Sequence, residues 1–347
     1  MTARPDSSGP SQSLAQVTAA TRAIRQHRYG SPDVLTLEHV PTPVPSADEV
    51  LVRVRAASVN ARDWHIMRGE PRVARLMAPS IFGVRGPRGP VRGTDLAGVV
   101  EAVGPDATGW RPGDLVFGEG TGTFADHAVA RAGQLAAIPE GITFERAAAL
   151  PLAGTTALEC LEAAEPSPGM SILINGASGG VGTFAIQLAR VLGLHVTAVV
   201  SPRNAARAAS LGAEVTIDYT GQDFTTTAGG YDIVFDLVGN RRLDELRGIV
   251  RPDGAVLLSG GGVSGQGRII GPMRMLIQAQ IQGRRKGARL LTPSPTPSTA
   301  TLRRLGEMVA TGQVVPVIDR RFRLDQTAGA IEYMETTHTQ GKVVVVP

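Results

Sequence analysis

The residues Asn175-Gly-Ala-Ser-Gly-Gly-Val-Gly182 follow a short apolar run, Ile172–Ile174, and lead into apolar positions at helical spacing: Val181, Phe184, Ala185, Leu188, Ala189 and Leu192. Strand, glycine-rich turn and helix together form the context in which small residues bind a dinucleotide. They permit a tight turn and let backbone N–H groups approach a pyrophosphate. The helix N-terminus adds about half an elementary positive charge. The pattern reads A-x-G-x-x-G, so Ala177, Ser178, Gly179, Gly180, Val181 and Gly182 are the candidate pyrophosphate residues. A plain glycine turn in an α/β domain is the competing reading, and the apolar flanks favour the dinucleotide.

The next apolar strand, His195–Val200, sharpens the choice of cofactor. A chain selecting NAD ends this strand with Asp or Glu for the ribose 2′-hydroxyl. Here it ends in Ser201-Pro-Arg203-Asn204, with no acid in reach. A hydroxyl and a guanidinium suit a 2′-phosphate through charge-assisted hydrogen bonds, whereas a carboxylate repels it. NADPH is therefore the expected cofactor, with Ser201 and Arg203 as its phosphate residues. Arg203 read only as a solvated residue opening the next helix is the alternative, and Arg207, one turn on, either supports the same phosphate or faces water.

These residues need a scaffold. A chain of 347 residues predicts two domains with ample material for cores. Val50–Ala56 alternates with period two, as a half-buried strand does, and Gly98–Val103, Asp114–Phe117 and Phe124–Ala130 are further strand candidates between Gly, Pro and Asp turns. The texture turns to Ala-rich helix around Phe144–Ala164. Strands and helices then alternate through Ile172–Ile174, Val196–Val200, Val215–Ile217, Ile233–Leu237 and Val256–Ser259, which implies a doubly wound parallel sheet. Thr292-Pro-Ser-Pro-Thr-Pro297 marks a boundary, beyond which one helix and a terminal strand, Lys342–Val346, return to the first domain. The expected division is a disordered tail over 1–21, a β-rich domain over 22–148, a dinucleotide domain over 149–291 and a returning segment over 292–347.

Composition excludes several classes. A hydrophobic fraction of 42% and a charged fraction of 19% are those of a soluble globular protein. No apolar run approaches the ~20 residues that span a bilayer, and the N-terminus lacks a hydrophobic signal core. The single cysteine, Cys160, excludes an intramolecular disulfide and a multi-thiolate metal site, and fits a cytoplasmic location. The net charge of +4 includes Arg284-Arg-Lys286 and Arg289, but no aromatic residues interleave them, which argues against nucleic acid as a partner.

In order and spacing, Tyr29-Gly-Ser-Pro-Asp-Val34, Ala57-Ser-Val-Asn60, Gly93-Thr-Asp-Leu-Ala-Gly-Val-Val100, Arg111-Pro-Gly-Asp114, the turn Asn175–Gly182, Leu211-Gly-Ala213, Asp236-Leu-Val-Gly239 and Gly341-Lys-Val-Val344 resemble the medium-chain dehydrogenase/reductase superfamily. Within it they are most similar to the zinc-independent quinone oxidoreductase branch. The resemblance runs from about Ile24 to the C-terminus. It implies an α/β protein: a GroES-like β-rich catalytic domain, a doubly wound Rossmann domain and a nicotinamide cleft between them. It also implies that Asn60 lies beside nicotinamide and substrate, that Thr156 lines the nicotinamide end, and that Tyr219 flanks the adenine ribose phosphate. Val238 and Ser259 complete the cofactor-binding set. A homodimer is implied by the same resemblance.

The zinc enzymes of the superfamily hold their metal through Cys, His and Cys or Asp. Here Asn60 and Thr94 stand at the first two positions, and Pro151-Leu-Ala-Gly154 offers nothing at the third. An amide and a hydroxyl do not replace the N and S ligands zinc takes, so no metal is expected. Alcohol oxidation needs a Lewis acid or its equivalent. Hydride delivery to an activated C=C bond or to a quinone needs only hydrogen-bond donors for the developing oxyanion. Reduction of an apolar quinone or enone by NADPH is thus the expected activity.

The proton donor is open. His65, five residues after Asn60, suits proton transfer near neutral pH, but Arg62 interrupts the relay seen in zinc enzymes; a bound water is the alternative. Asp63 reads as a helix cap, Asp95 as a structural turn residue and Cys160 as a packing residue. Residues 71–92 read as a loop over the cleft, and Met273, Met275, Leu276 and Ile277 as an apolar lid helix or as core. Two other functions fit: a zinc-free alcohol or ketone oxidoreductase, and a non-enzymatic NADPH-binding protein that uses the Arg284–Arg289 cluster for RNA or a protein.

Overall fold

Period-two alternation over Glu49–Val59 produces the longest strand, with Val50, Val52, Val54 and Ala56 buried and Arg53 and Arg55 exposed. In the computed structural model of the chain, residues 20–80, 82–226, 230–259, 275, 278–279, 287–337 and 339–347 are described. The strands are β1 (Ala20–Gln26), β2 (Leu35–Pro41), β3 (Glu49–Val59), β4 (Asp95–Val103), β5 (Leu115–Glu119), β6 (His127–Arg131) and β7 (Leu135–Ala137). They continue as β8 (Ser171–Asn175), β9 (His195–Val200), β10 (Val215–Asp218), β11 (Tyr231–Asp236), β12 (Val250–Leu258), β13 (Arg289–Leu291), β14 (Ile318–Arg323) and β15 (Lys342–Val346).

β8 to β13 form one sheet in the order β10-β9-β8-β11-β12-β13, and every neighbouring pair is parallel. The order reverses between β8 and β11, which is where a doubly wound sheet opens its ligand crevice. The other large sheet runs β14-β15-β3-β4-β5-β7, with β6 also on β3. Its pairs are antiparallel except β14 with β15. β1 and β2 form a separate hairpin. The chain is thus a GroES-like β-rich domain joined to a Rossmann domain.

One apolar core reaches across both sheets. Phe117, Ala97 and Ala56 of the first sheet join Leu150, Leu158 and Leu161 of the intervening helices and Phe184, Ile174 and Phe235 of the second. Burying each such Leu or Phe contributes about 1.5–3 kcal/mol of apolar transfer. The helix α4 (Pro151–Ala163) sits at this junction, with the helix Thr299–Ala310 packed on it through Leu302 and Leu305.

Several expectations need correction. Ala20 and Thr21 are not tail: they open β1, where Ala20 pairs with Pro41 and Thr21 with Val40. β6 starts at His127: Phe124 and Ala125 meet β1 only through the Ile24 N–H on the Phe124 carbonyl at 2.8 Å and an isolated Ala23–Ala125 bridge, with no continuous ladder. Beyond Pro297 the chain forms two helices and two strands, not one of each; exposed Arg320 and Arg321 hid β14, an edge strand whose outward face is polar. Asp95 is the first residue of β4, not a turn residue, because Ser58 and Glu119 flank it as cross-strand partners. The expected lid residues Met273, Leu276 and Ile277, and the basic run Arg284–Lys286, lie outside the described residues. Met275 packs against the second face of the Rossmann sheet.

Candidate active site

The nucleotide turn is formed as its glycines require. Gly176 adopts φ +84°, and a side chain there would bring its Cβ within 2.7 Å of Val238 Cγ2. At Gly182 an added Cβ would sit 2.6 Å from the Ala177 backbone, so only glycine lets the helix α5 (Gly180–Val191) start so close to the strand. Gly179, by contrast, faces open space, its nearest neighbour the Gly176 carbonyl at 3.6 Å. Ser178, Gly179, Gly180 and Val181 form a partly exposed window in otherwise buried surroundings that include Ala177 and Gly182. The first N–H groups of α5 have no acceptor inside the helix. This is a cradle that fits a pyrophosphate.

The sheet's reversal point closes the other side. Asn175 and Asp236 are paired across β8 and β11, and Asn175 Nδ2 donates to Asp236 Oδ1 at 2.8 Å. Asp236 also accepts the N–H groups of Val238 and Gly239 at 3.1 Å, which fixes the loop carrying Val238. Burial raises the Asp236 carboxyl, and these donors oppose the shift. Ser259 follows β12, its N–H bonded to the Asp236 carbonyl at 3.1 Å. Ser201 and Tyr219 are brought side by side beyond β9 and β10: Val200 pairs with Asp218, and Tyr219 N–H points at the Val200 carbonyl. Ser201 precedes the helix α6 (Pro202–Leu211), and Arg203 stands exposed in its first turn. Arg207 is not simply solvated, since its guanidinium donates to the Gln340 carbonyl at 3.2 Å.

A second group lies where β3, β4 and β15 meet. Asn60 caps the helix α1 (Ala61–Arg68), and its N–H donates to Asp63 Oδ2 at 2.8 Å. The Asn60 amide is turned away from the helix. Its Nδ2 donates to Asp95 Oδ2 at 3.0 Å, and its Oδ1 accepts from the Lys342 ammonium. Lys342 also donates to the Val59 carbonyl at 3.3 Å and lies 3.7 Å from Asp95 Oδ2. Asp95, fully buried, receives Ser58 Oγ at 2.8 Å and the Leu152 N–H at 3.4 Å as well. Burial lowers the Lys342 amine, while Asp95 and Asp63 oppose this. Burial likewise pushes the Asp63 carboxyl up to about 7 against the pull of the Asn60 N–H, with Asp95 adding to the rise. Arg62 pairs with Glu119 at the edge of the group, and burial raises the Glu119 carboxyl against that pairing.

Around this group the hydroxyls of Thr94 and Thr155 and Asp95 Oδ1 are buried without a hydrogen-bond partner among the described residues. Buried polar atoms left this way mark places where a ligand or water completes the bonding. Thr156 is half-buried on α4, one residue beyond the buried Thr155. His65 sits inside α1, its ring stacked on Trp64 at 3.7 Å and its Nδ1 2.9 Å from the Glu70 carbonyl. A carbonyl only accepts, so Nδ1 carries the proton and the neutral ring has none on Nε2. Cys160 is buried, and burial pushes its thiol up to about 12.

Lys342 and Thr155 were missed in the sequence. The signal for Lys342 was its place in Gly341-Lys-Val-Val344; the strand pattern around it reads as ordinary core, and nothing local says that its charge is buried.

Two family models match: an alcohol dehydrogenase GroES-like domain over residues 46–140 and a zinc-binding dehydrogenase over residues 211–345. The residues do not fit the metal in that second description. Asn60 Oδ1 and Asp95 Oδ2 already face the Lys342 ammonium, and no group of three or more His, Cys, Asp or Glu side chains among the described residues is placed to hold a metal ion. No described helix is long and apolar enough to cross a membrane. The chain is 33% identical to the 2-methylene-furan-3-one reductase of Solanum lycopersicum, over 92% of this chain and 77% of the relative. It is also 33% identical to the chloroplastic NADPH-dependent alkenal/one oxidoreductase of Arabidopsis thaliana, over 92% and 78%. Among solved structures, the Escherichia coli quinone oxidoreductase complexed with NADPH superposes with a TM-score of 0.80 at 26% identity, covering 94% of this chain and all of that one (100%). The chain belongs to the medium-chain dehydrogenase/reductase superfamily, in its zinc-independent quinone oxidoreductase-like branch.

Proposed function

We propose that this protein reduces quinones or the activated C=C bond of α,β-unsaturated carbonyl compounds with NADPH. One observation carries the reading: the glycine-rich cradle that fits a dinucleotide lies against a buried polar group, with Lys342 Cδ beside Gly180 and its ammonium on Asn60 Oδ1. Bound NADPH supplies the hydride. Ala177–Gly182 hold its pyrophosphate, Ser201, Arg203 and Tyr219 its adenosine phosphate, and Thr156, Val238 and Ser259 its nicotinamide side. Asn60 borders the reacting ring from a rigid position. The unpartnered hydroxyls of Thr94 and Thr155 offer donors to an oxygen that gains charge as hydride arrives.

For the proton, the neutral His65 ring has nothing to donate from Nε2, so His65 serves only as imidazolium; otherwise a water delivers the proton. A ketone substrate would demand a stronger electrophile than these hydroxyls, which sets C=C and quinone reduction ahead of C=O reduction. An apolar substrate, a homodimer and a cytoplasmic location belong to the same reading, the last two checked by sedimentation and fractionation.

The test is NADPH oxidation by chelator-treated protein with a 1,4-quinone, an enone, a saturated ketone or no acceptor, with NADH in parallel. Quinone or enone turnover that prefers NADPH and ignores chelator is the expected result. Turnover of the ketone alone, or loss of turnover on chelation, refutes it.

A further inference from the structure

The Lys342 side chain ties together two parts of the molecule that the reaction uses. Gly341, at φ +128°, leaves no room for a side chain, since its Cβ would meet Val317 Cγ1 at 2.8 Å. That close approach, with the Lys342 N–H bonded to the Val317 carbonyl at 2.8 Å, sets the start of β15 and aims Lys342 inward. Its methylene stem crosses the nucleotide turn: a Cβ on Gly180 would stand 2.9 Å from Lys342 Cδ. Its ammonium ends on Asn60 Oδ1 and the Val59 carbonyl, 3.7 Å from Asp95.

The chemistry of these partners leaves the Asn60 amide one orientation. An ammonium only donates and a carboxylate only accepts, so Asn60 must present Oδ1 to Lys342 and Nδ2 to Asp95. Reversing the amide would set NH2 against ammonium and carbonyl against carboxylate. Apolar residues of similar volume replace buried ion pairs with little loss of stability, or even a gain. A buried lysine is therefore poorly explained by stability alone. We propose that Lys342 is a positioning residue for hydride transfer, holding the Asn60 amide in one orientation and linking it to the nucleotide turn. The proposal rests on the oxidoreductase reading above, since Asn60 matters only where a nicotinamide and a substrate meet it.

The test is a double-mutant cycle on Lys342→Met and Asn60→Ala, read by the single-turnover rate of NADPH oxidation, by the NADPH Kd and by thermal melting. K342M is expected to slow the single-turnover step at least about 10-fold while NADPH Kd moves less than about 3-fold. In the N60A background the same change is expected to alter the rate less than about 2-fold, because the group it positions is gone. Independent, multiplicative losses overturn the proposal, as does a K342M enzyme weakened only in NADPH Kd, which would make Lys342 a cofactor ligand. If K342M does not fold, Lys342→Leu, which likewise removes the donor toward Asn60, takes its place in the cycle. Wild-type protein that oxidises NADPH with no acceptor refutes the functional reading itself; active wild type with an indifferent K342M refutes this inference alone.

Discussion

The nucleotide turn is built from one unbroken stretch of chain, Asn175–Gly182, whereas the buried polar group gathers Ser58 and Asn60 at the end of β3, Asp95 from β4, Leu152 from α4 and Lys342 from β15. In the first, each residue does its work through backbone geometry, and every constraint is local: the positive φ at Gly176, the missing Cβ at Gly182, the helix start at Gly180. In the second, side chains distant in sequence satisfy one another away from water, and each is an ordinary residue until the others arrive. A local device tolerates change around it and fails when one glycine is replaced. A buried polar group fails wherever any partner is removed, because the remaining charge has nowhere to go.

The largest effect that tests this contrast is Asp95→Ala. It leaves the Lys342 ammonium buried without its carboxylate and strips Ser58, Asn60 and Leu152 of their acceptor, so unfolding should become easier by about 3–5 kcal/mol in denaturant titration. Pairing it with Lys342→Met should recover part of that loss. A double variant as unstable as the sum of the singles breaks the picture of one coupled group.

Gly182→Ala comes next. A Cβ 2.6 Å from the Ala177 backbone must push the turn open, and NADPH binding by fluorescence titration should weaken about 100-fold, near 2.7 kcal/mol. Unaltered binding would remove the turn as the pyrophosphate site. Arg203→Ala is a smaller change at an exposed side chain: the preference for NADPH over NADH should fall about 10-fold in kcat/KM, or 1.4 kcal/mol. Equal losses with both cofactors would show that Arg203 does not read the 2′-phosphate.

The smallest effect concerns Asp63 and its dependence on pH. Its carboxyl titrates near 7 in the fold, against about 3.9 when unfolded, so the folded chain holds the proton more tightly. Its contribution to stability is complete below about pH 4 and is lost as pH rises through about 7. Wild-type Tm should therefore decline between about pH 4 and 7. Asp63→Asn, which keeps an oxygen to accept the Asn60 N–H, should flatten that decline. An unchanged slope would place the titration elsewhere.

The same contrast explains what could be read in advance. The Rossmann strands are continuous apolar runs bounded by glycine, and the turn carries its own spacing, so β8, α5 and β9 were legible from the residues alone. So was the missing carboxylate after β9. β14 escaped notice because an edge strand with an outward charged face lacks the apolar pattern of a core strand. Asp63 was legible as a cap because capping spans only three residues, yet its raised pKa was not, since burial and the approach of Asp95 are tertiary facts.

By itself the sequence determined the glycine-rich turn of a dinucleotide site and the absence of a carboxylate after β9, where Ser201 and Arg203 stand. Each of these depends on residue types within a few positions of one another. Only the tertiary structure decided that Lys342 would be a buried cation and Asp95 its counter-charge. The reason is desolvation: whether a lysine is a solvated surface charge or a buried ammonium depends on what folds over it, and that is set by strands hundreds of residues apart.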